Sequence, residues 1–177
     1  MEDTSELLFE DCRVPKSNLL GEVGQAFSYL MSKLQRERLT TTLFAQSLTE
    51  RILDEAMEYA KTREAFGKPI GNFQHNAFKI AEMATEVEFG RVFMDRLIED
   101  FIAGIDIVTR VSMAKWWIGE MAIRVAYNAL QLYGSYGLME EYPICRHYRD
   151  VRGHTLFAGT TEIMKLIISR KLGFKSD

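Results

Sequence analysis

The sequence predicts an all-α protein, an antiparallel four-helix bundle preceded by a short strand remnant. Three observations carry this. Only three prolines, at 15, 69 and 143, interrupt the 177 residues, so the segments between them are long enough for unbroken helix. Within those segments apolar residues recur at steps of three and four. The glycine- and proline-bearing turns between them are short, which sets successive helices side by side.

The chain divides at about residue 23. Leu7-Leu8-Phe9-Glu10-Asp11-Cys12-Arg13-Val14-Pro15 reads as a short strand entering a proline turn, ended by Leu19-Leu20-Gly21. One strand alone has nothing to pair with, so residues 1–23 are expected to be the remnant and linker of a preceding β domain. Residues 24–177 form the bundle. A first helix is expected from about Gly24 to Thr62, with Leu30, Leu34, Glu37, Thr41, Phe44, Leu48 and Ile52 on one face. A second runs from Asn72 to about Phe101 on Phe73, Ala77, Ile80, Ala84, Val87, Met94, Ile98 and Phe101, interrupted by Arg91. Gly104 and Asp106 mark a turn. A third helix turns Val111, Ala114, Ile118, Met121 and Val125 inward and fades at Gly134-Ser135-Tyr136-Gly137. Pro143 opens a short helical piece ending near Arg152-Gly153. The last helix begins about Thr160, with a threonine cap, and reaches Leu172.

Composition excludes several classes. A net charge of -3 leaves no basic surplus for duplex nucleic acid. Cys12 and Cys145 lack C-x-x-C spacing and indicate neither a disulfide framework nor a metal site, which suits a reducing compartment. Glu2, Asp3 and Glu6 are wrong for a signal or transit peptide, and no run reaches the roughly 20 apolar residues of a membrane helix. A cytoplasmic location is expected, or the mitochondrial matrix in a eukaryote.

Four stretches carry more than packing requires. The turn from Arg63 to Gln74 holds a fixed cation, an aromatic at Phe66 and an amide. That set suits a ligand with phosphates and a ring, while the plain reading is a helix corner capped by Asn72. Glu37 lies in phase with an apolar face, where burial would disfavour its ionised form and make it a general base near neutral pH; the plain reading is an ion pair with a nearby cation. Gln131 to Gly137 ends a helix in glycines, either a C-cap or a backbone approach to pyrophosphate. Phe157-Ala158-Gly159-Thr160-Thr161-Glu162 opens a helix whose free amides favour an anion or a polarised carbonyl, or are merely capped. His75, His147 and His154 form no ligand set and are expected to be solvated or hydrogen-bonded. Trp116-Trp117 is expected to pack on a neighbouring helix or subunit.

In this order the stretches resemble the acyl-CoA dehydrogenase family, C-terminal part. Phe9 to Pro15 with Leu19-Leu20-Gly21 is similar to the exit from the family's β domain. Arg63-Glu64-Ala65-Phe66-Gly67-Lys68-Pro69-Ile70 through Gln74 is similar to its R-x-x-F-G-x-x-I…Q turn. Gln131, Gly134 and Gly137 follow its Q-x-x-G-G-x-G, with Ser135 in place of the second glycine. Gly159-Thr160-Thr161-Glu162-Ile163 follows its G-T-x-E-I. The resemblance implies FAD as cofactor. Arg63, Phe66, Gln74, Gln131, Gly134 and Ser135 would hold the ADP half belonging to a neighbouring subunit, and Thr160, Thr161 and Glu162 would touch FAD in their own site.

Many members place a catalytic glutamate directly before G-T-x-E-I, where this chain has Ala158. Isovaleryl- and long-chain-type members carry it on the first long helix, which here is Glu37-Arg38-Leu39. The implied reaction is α,β-dehydrogenation of an acyl-CoA thioester, with Glu37 as base and the Ala158 amide as an oxyanion donor. Gln35, Arg38 and Gly159 would lie at the substrate. Electron-transferring flavoprotein is the implied electron partner, in a homo-oligomer (dimer or tetramer). These segments alone are expected to be inactive. A non-catalytic helical module, or a flavin oxidase or monooxygenase on the same scaffold, stands as the alternative.

Overall fold

A computed structural model describes residues 5–175; residues 1–4 and 176–177 of the two expected units lie outside the described residues. The elements are α1 (Ala26–Thr62), β1 (Glu64–Ala65), β2 (Lys68–Pro69), α2 (Gln74–Ile102), α3 (Val108–Tyr133), α4 (Pro143–Val151) and α5 (Thr161–Lys171). The expected helical bundle is present: three long helices, the short piece expected at Pro143, and a last helix, α5, shorter than the first three. α3 is the axis, packed against α1, α2, α4 and α5.

The expected strand at 7–15 does not form. The chain there is irregular and exposed, with one 3-10 turn at Lys16–Asn18. A strand's donors and acceptors need a neighbour, and the described residues offer none. The strands that do exist are two residues each. They pair Glu64 with Pro69 and Ala65 with Lys68, and Phe66 and Gly67 both take positive φ between them (52° and 78°). That is the primed two-residue turn a right-twisted hairpin prefers.

Helix ends follow local chemistry. Thr160 caps α5, its side chain accepting from Ile163 N. Pro143 opens α4, where a missing N–H costs nothing. Asp106 Oδ1 accepts from Val108 N at 3.0 Å as α3 begins. Gly134, at φ 61°, closes α3. Asn72 does not cap α2: it lies in a 3-10 turn, and α2 starts after Phe73 without a side-chain cap.

The third helix buries the stripe its sequence announces; Val111, Ala114, Ile118, Met121 and Val125 are all in the core. α1 differs. Its buried seam is Arg38, Thr42, Ala45, Thr49, Ile52, Ala56 and Ala60, one residue later than the expected stripe until the two merge at Ile52. One residue is about 100° around a helix, so Leu30, Phe44 and Glu37 face outward. The seam carries mostly small residues, with Leu39 and Leu53 buried beside it. Its threonines spend their hydroxyls on their own helix: Thr42 Oγ1 donates to Arg38 O at 2.6 Å and Thr49 Oγ1 to Ala45 O at 2.7 Å.

α2 meets this pair across Gly90. Buried Gln46 donates from Nε2 to Val87 O at 3.0 Å and to Glu50 Oε1 at 2.8 Å, so its amide is fixed. A Cβ at position 90 would stand 2.3 Å from Gln46 Oε1. Gly90→Ala is therefore expected to destabilise the fold by about 1–3 kcal/mol, the usual cost of overpacking, read as a lower thermal midpoint. Asp100, a buried carboxylate the sequence reading passed over, joins α2 to α3 by pairing with Arg96 at 3.1 Å and with Arg110. No helix among the described residues is long and apolar enough to cross a membrane. Cys12 is exposed and Cys145 buried, both unbridged.

Candidate functional site

Two clusters of candidate residues form, one at the C-terminal end of α1 and one about a third of the way along it. The first gathers the 63–74 turn and the end of α3. Arg63 caps α1 through its N–H to Tyr59 O at 2.8 Å, and its guanidinium lies 5.4 Å from the Tyr136 ring centroid. The hairpin closes as Ile70 N donates to Arg63 O at 2.8 Å, and Asn76 Nδ2 ties Ile70 O at 2.9 Å. Phe66, at the hairpin tip, is 96% exposed and meets Phe73 edge-on at 6.2 Å. Lys68 Nζ stands 4.3 Å from the same Phe73 ring. Gln74, Gln131, Gly134 and Ser135 are all exposed. Beneath them Tyr59 stacks on Tyr133 at 3.9 Å and Tyr142 meets both rings edge-on. Tyr133 also donates to Glu55 O at 3.1 Å. The result is a rigid aromatic base carrying exposed cations, an open ring and amides: a surface suited to phosphates and a heterocycle.

The second cluster joins α1 to the turn before α5. Arg38 Nε donates to Ala158 O at 3.1 Å, bridging positions 120 residues apart in the chain. Burial lowers the Arg38 pKa and the adjacent Glu37 carboxylate raises it in part. Gln35 is half-buried on the same turn of α1, while Glu37 is exposed. The expected burial of Glu37 fails because the seam of α1 runs one residue later. The turn itself is unusual backbone. Ala158 takes φ 54° and Gly159 φ 101°, and a Cβ on Gly159 would meet Met164 Cε at 2.8 Å and Arg38 Nη2 at 3.5 Å. Thr160 caps α5. Thr161 is buried, its hydroxyl donating to Glu120 Oε1 at 3.2 Å, so it offers the outside only main chain. Glu162 is exposed; its own backbone N–H first and the Thr160 hydroxyl second hold its carboxyl below the usual range.

Behind this turn lie residues that sequence reading missed or misjudged. Lys115 is 3% exposed, with Nζ 2.6 Å from Gly159 O and 3.2 Å from His154 O. His154 is buried rather than solvated, between Phe44 at 5.8 Å and Phe157 at 5.0 Å, and burial followed by Lys115 pushes it down to about 4. His147 is buried too, with Nε2 3.4 Å from Glu55 Oε2. His75 is exposed as expected. Trp117 packs on the core, and Lys165 Nζ lies 4.9 Å from the Trp116 ring. No group of His, Cys, Asp or Glu among the described residues could hold a metal ion.

Arg38 and Arg63 are separated by 25 residues of continuous helix, about 38 Å at 1.5 Å per residue.

The same layout is found in known proteins. Residues 24–173 match the family model of the acyl-CoA dehydrogenase C-terminal domain. The mitochondrial long-chain specific acyl-CoA dehydrogenase of Sus scrofa is 42% identical over 171 residues, 97% of this chain and 40% of its own length. Subunit CarC of the caffeyl-CoA reductase-Etf complex of Acetobacterium woodii is 37% identical over 96% of this chain and 45% of its own. The crystal structure of an acyl-CoA dehydrogenase from Geobacillus kaustophilus superposes with a TM-score of 0.92 at 54% identity, covering 94% of this chain and 44% of that one. The chain thus spans less than half the length of the relatives it matches. By its helical architecture, its turn motifs and the match across residues 24–173, the chain belongs to the acyl-CoA dehydrogenase family.

Proposed function

We propose that this chain is the C-terminal helical part of a flavin-dependent acyl-CoA dehydrogenase in which Glu37 is the base. The observation that carries this is the Arg38–Ala158 hydrogen bond. It draws α1 at Arg38 against the turn before α5, where position 158 has no carboxyl group of its own. Glu37, one residue before Arg38, is then the carboxylate nearest in sequence to that junction, and its exposure leaves it open to a substrate.

The residues present fit FAD. The exposed Arg63–Tyr136 pair, the open Phe66 ring and the uncrowded backbone at Gly134 suit an ADP moiety. The first turn of α5, with its amides and Thr160, suits a polar edge of a flavin. As the family resemblance implies, Arg63, Phe66, Gln74, Gln131, Gly134 and Ser135 serve the cofactor of a second subunit, and Thr160, Thr161 and Glu162 that of their own; the separation of the two clusters by about 38 Å along α1 is in keeping with this. A homo-oligomer, dimer or tetramer, follows from this division. Bound FAD supplies the hydride acceptor.

The protein's share is geometry and proton transfer. Glu37 takes the α-proton of the acyl-CoA thioester. The Ala158 N–H, on a backbone held at positive φ, donates to the thioester oxygen as negative charge grows there. Arg38 fixes that turn, and Gln35 and Gly159 border the thioester. Electron-transferring flavoprotein is the redox partner, in keeping with the Etf complex named for the Acetobacterium relative. The same residues serve the reverse reduction that this relative's name describes. Cytoplasm, or a mitochondrial matrix, supplies such partners. The test is anaerobic addition of acyl-CoA thioesters of graded length to the intact protein purified with FAD. Bleaching of the visible flavin band by at least one of them is expected; bound flavin that none of them bleaches refutes the reading.

A further inference from the structure

Lys115 sits inside α3, and both acceptors of its ammonium are main-chain carbonyls on the far side of the chain, at Gly159 and His154. A buried cation is tolerated only when its donors find partners, and here two of the three are taken, by the Arg152–Thr155 turn and by the turn before α5. Arg38 binds the intervening carbonyl of Ala158 from α1. Two cations therefore pull successive carbonyls of the turn inward. In a planar trans peptide the N–H points opposite to its own C=O, so the amides of Gly159 and Thr160 are sent away from the cations, toward the open face. Residues at positive φ, such as Ala158 and Gly159, hold that shape only when their surroundings over-determine it.

We infer that Lys115 is a positioning residue that locks the 158–160 turn, holding the Gly159 and Thr160 amides toward the face where thioester and cofactor would bind. The inference rests on the function proposed above for what the turn contacts, though not for the lock itself. Burial first, and the Arg38 charge second, bring Lys115 down to about 8. The ammonium is therefore present below that pH and lost as pH rises through it. The charged and titratable groups facing it are Arg38 from α1 and His154 from the Arg152–Thr155 turn; Asp150 of α4 acts on His154 in turn. His154, at about 4, stays neutral throughout this range.

The test is amide hydrogen exchange of the intact flavin-loaded protein. Lys115→Met keeps the unbranched stem and removes the charge. Exchange at Gly159–Thr161, corrected for intrinsic rates, is expected to speed up at least about tenfold while the middle of α3 is unchanged. Turnover is expected to fall on the order of tenfold to a hundredfold in kcat, with KM and flavin content within about threefold of wild type. Lys115→Arg, which keeps the cation, is expected to regain protection. Wild-type exchange at Gly159–Thr161 in Lys115→Met overturns the inference. Should that variant fail to fold, wild-type protein decides: corrected protection of these amides that stays constant from one unit below to one unit above about pH 8 also overturns it. A wild-type protein inactive on every thioester would refute the proposed function and leave the exchange result standing.

Discussion

Glu37→Gln is expected to lower kcat for an acyl-CoA thioester by on the order of 10³–10⁴-fold, the upper range for loss of a positioned general base. The amide keeps the length of the side chain and cannot take a proton at neutral pH. Little else should change. Glu37 is exposed and caps nothing, whereas the neighbouring contact that orders the junction belongs to Arg38. Bound FAD, KM and thermal midpoint are therefore expected within a few-fold or a few degrees of wild type. Rapid-mixing measurement of flavin bleaching separates this chemical defect from a binding defect.

Gly159→Ala has the next largest expected effect, and it strikes both structure and activity. The residue needs φ 101°, which costs an L-residue about 1–3 kcal/mol. Its new Cβ would also lie 2.8 Å from Met164 Cε, a buried side chain with little room to retreat. For a chain of this size each kcal/mol lowers the midpoint by roughly 2–4 °C. The turn would relieve itself by shifting, and displacing an active-site group by about 1 Å can cost on the order of 10²-fold in rate. Measured together, a lower midpoint and a lower kcat are expected; an unchanged midpoint with full turnover would show that the turn adapts freely.

Much of this was legible before any coordinates. The α3 stripe, the Thr160 cap, the Pro143 start and the 63–74 turn all rest on local rules, and local rules suffice for them. The α1 face was read one residue out of phase because periodicity counts large apolar residues, while the true seam is Thr42, Ala45, Thr49, Ala56 and Ala60. Small residues and self-bonded threonines are invisible to a hydrophobic count, yet here they are buried. Lys115 and Asp100 were illegible for another reason. A charged residue within a helix reads as solvated, and what makes burial tolerable here is remote: carbonyls 39 and 44 residues downstream for Lys115, an arginine across a helix turn for Asp100. The strand foreseen at residues 7–15 had the right composition and, among the described residues, no partner.

The central claim is that α1 delivers its carboxylate to the site that the 158–159 turn frames. It is tested most directly by comparing acyl-CoA-driven flavin bleaching in wild type, Glu37→Gln, and Glu37→Gln combined with Ala158→Glu, each at matched FAD content. Position 158 already carries a Cβ at φ 54°, so the added carboxyl brings no new backbone strain. If both positions border one reacting centre, the single variant is inert and the double variant recovers at least about tenfold over it. A Glu37→Gln protein that bleaches at the wild-type rate, or a flavin-loaded double variant no faster than the single one, would contradict that placement.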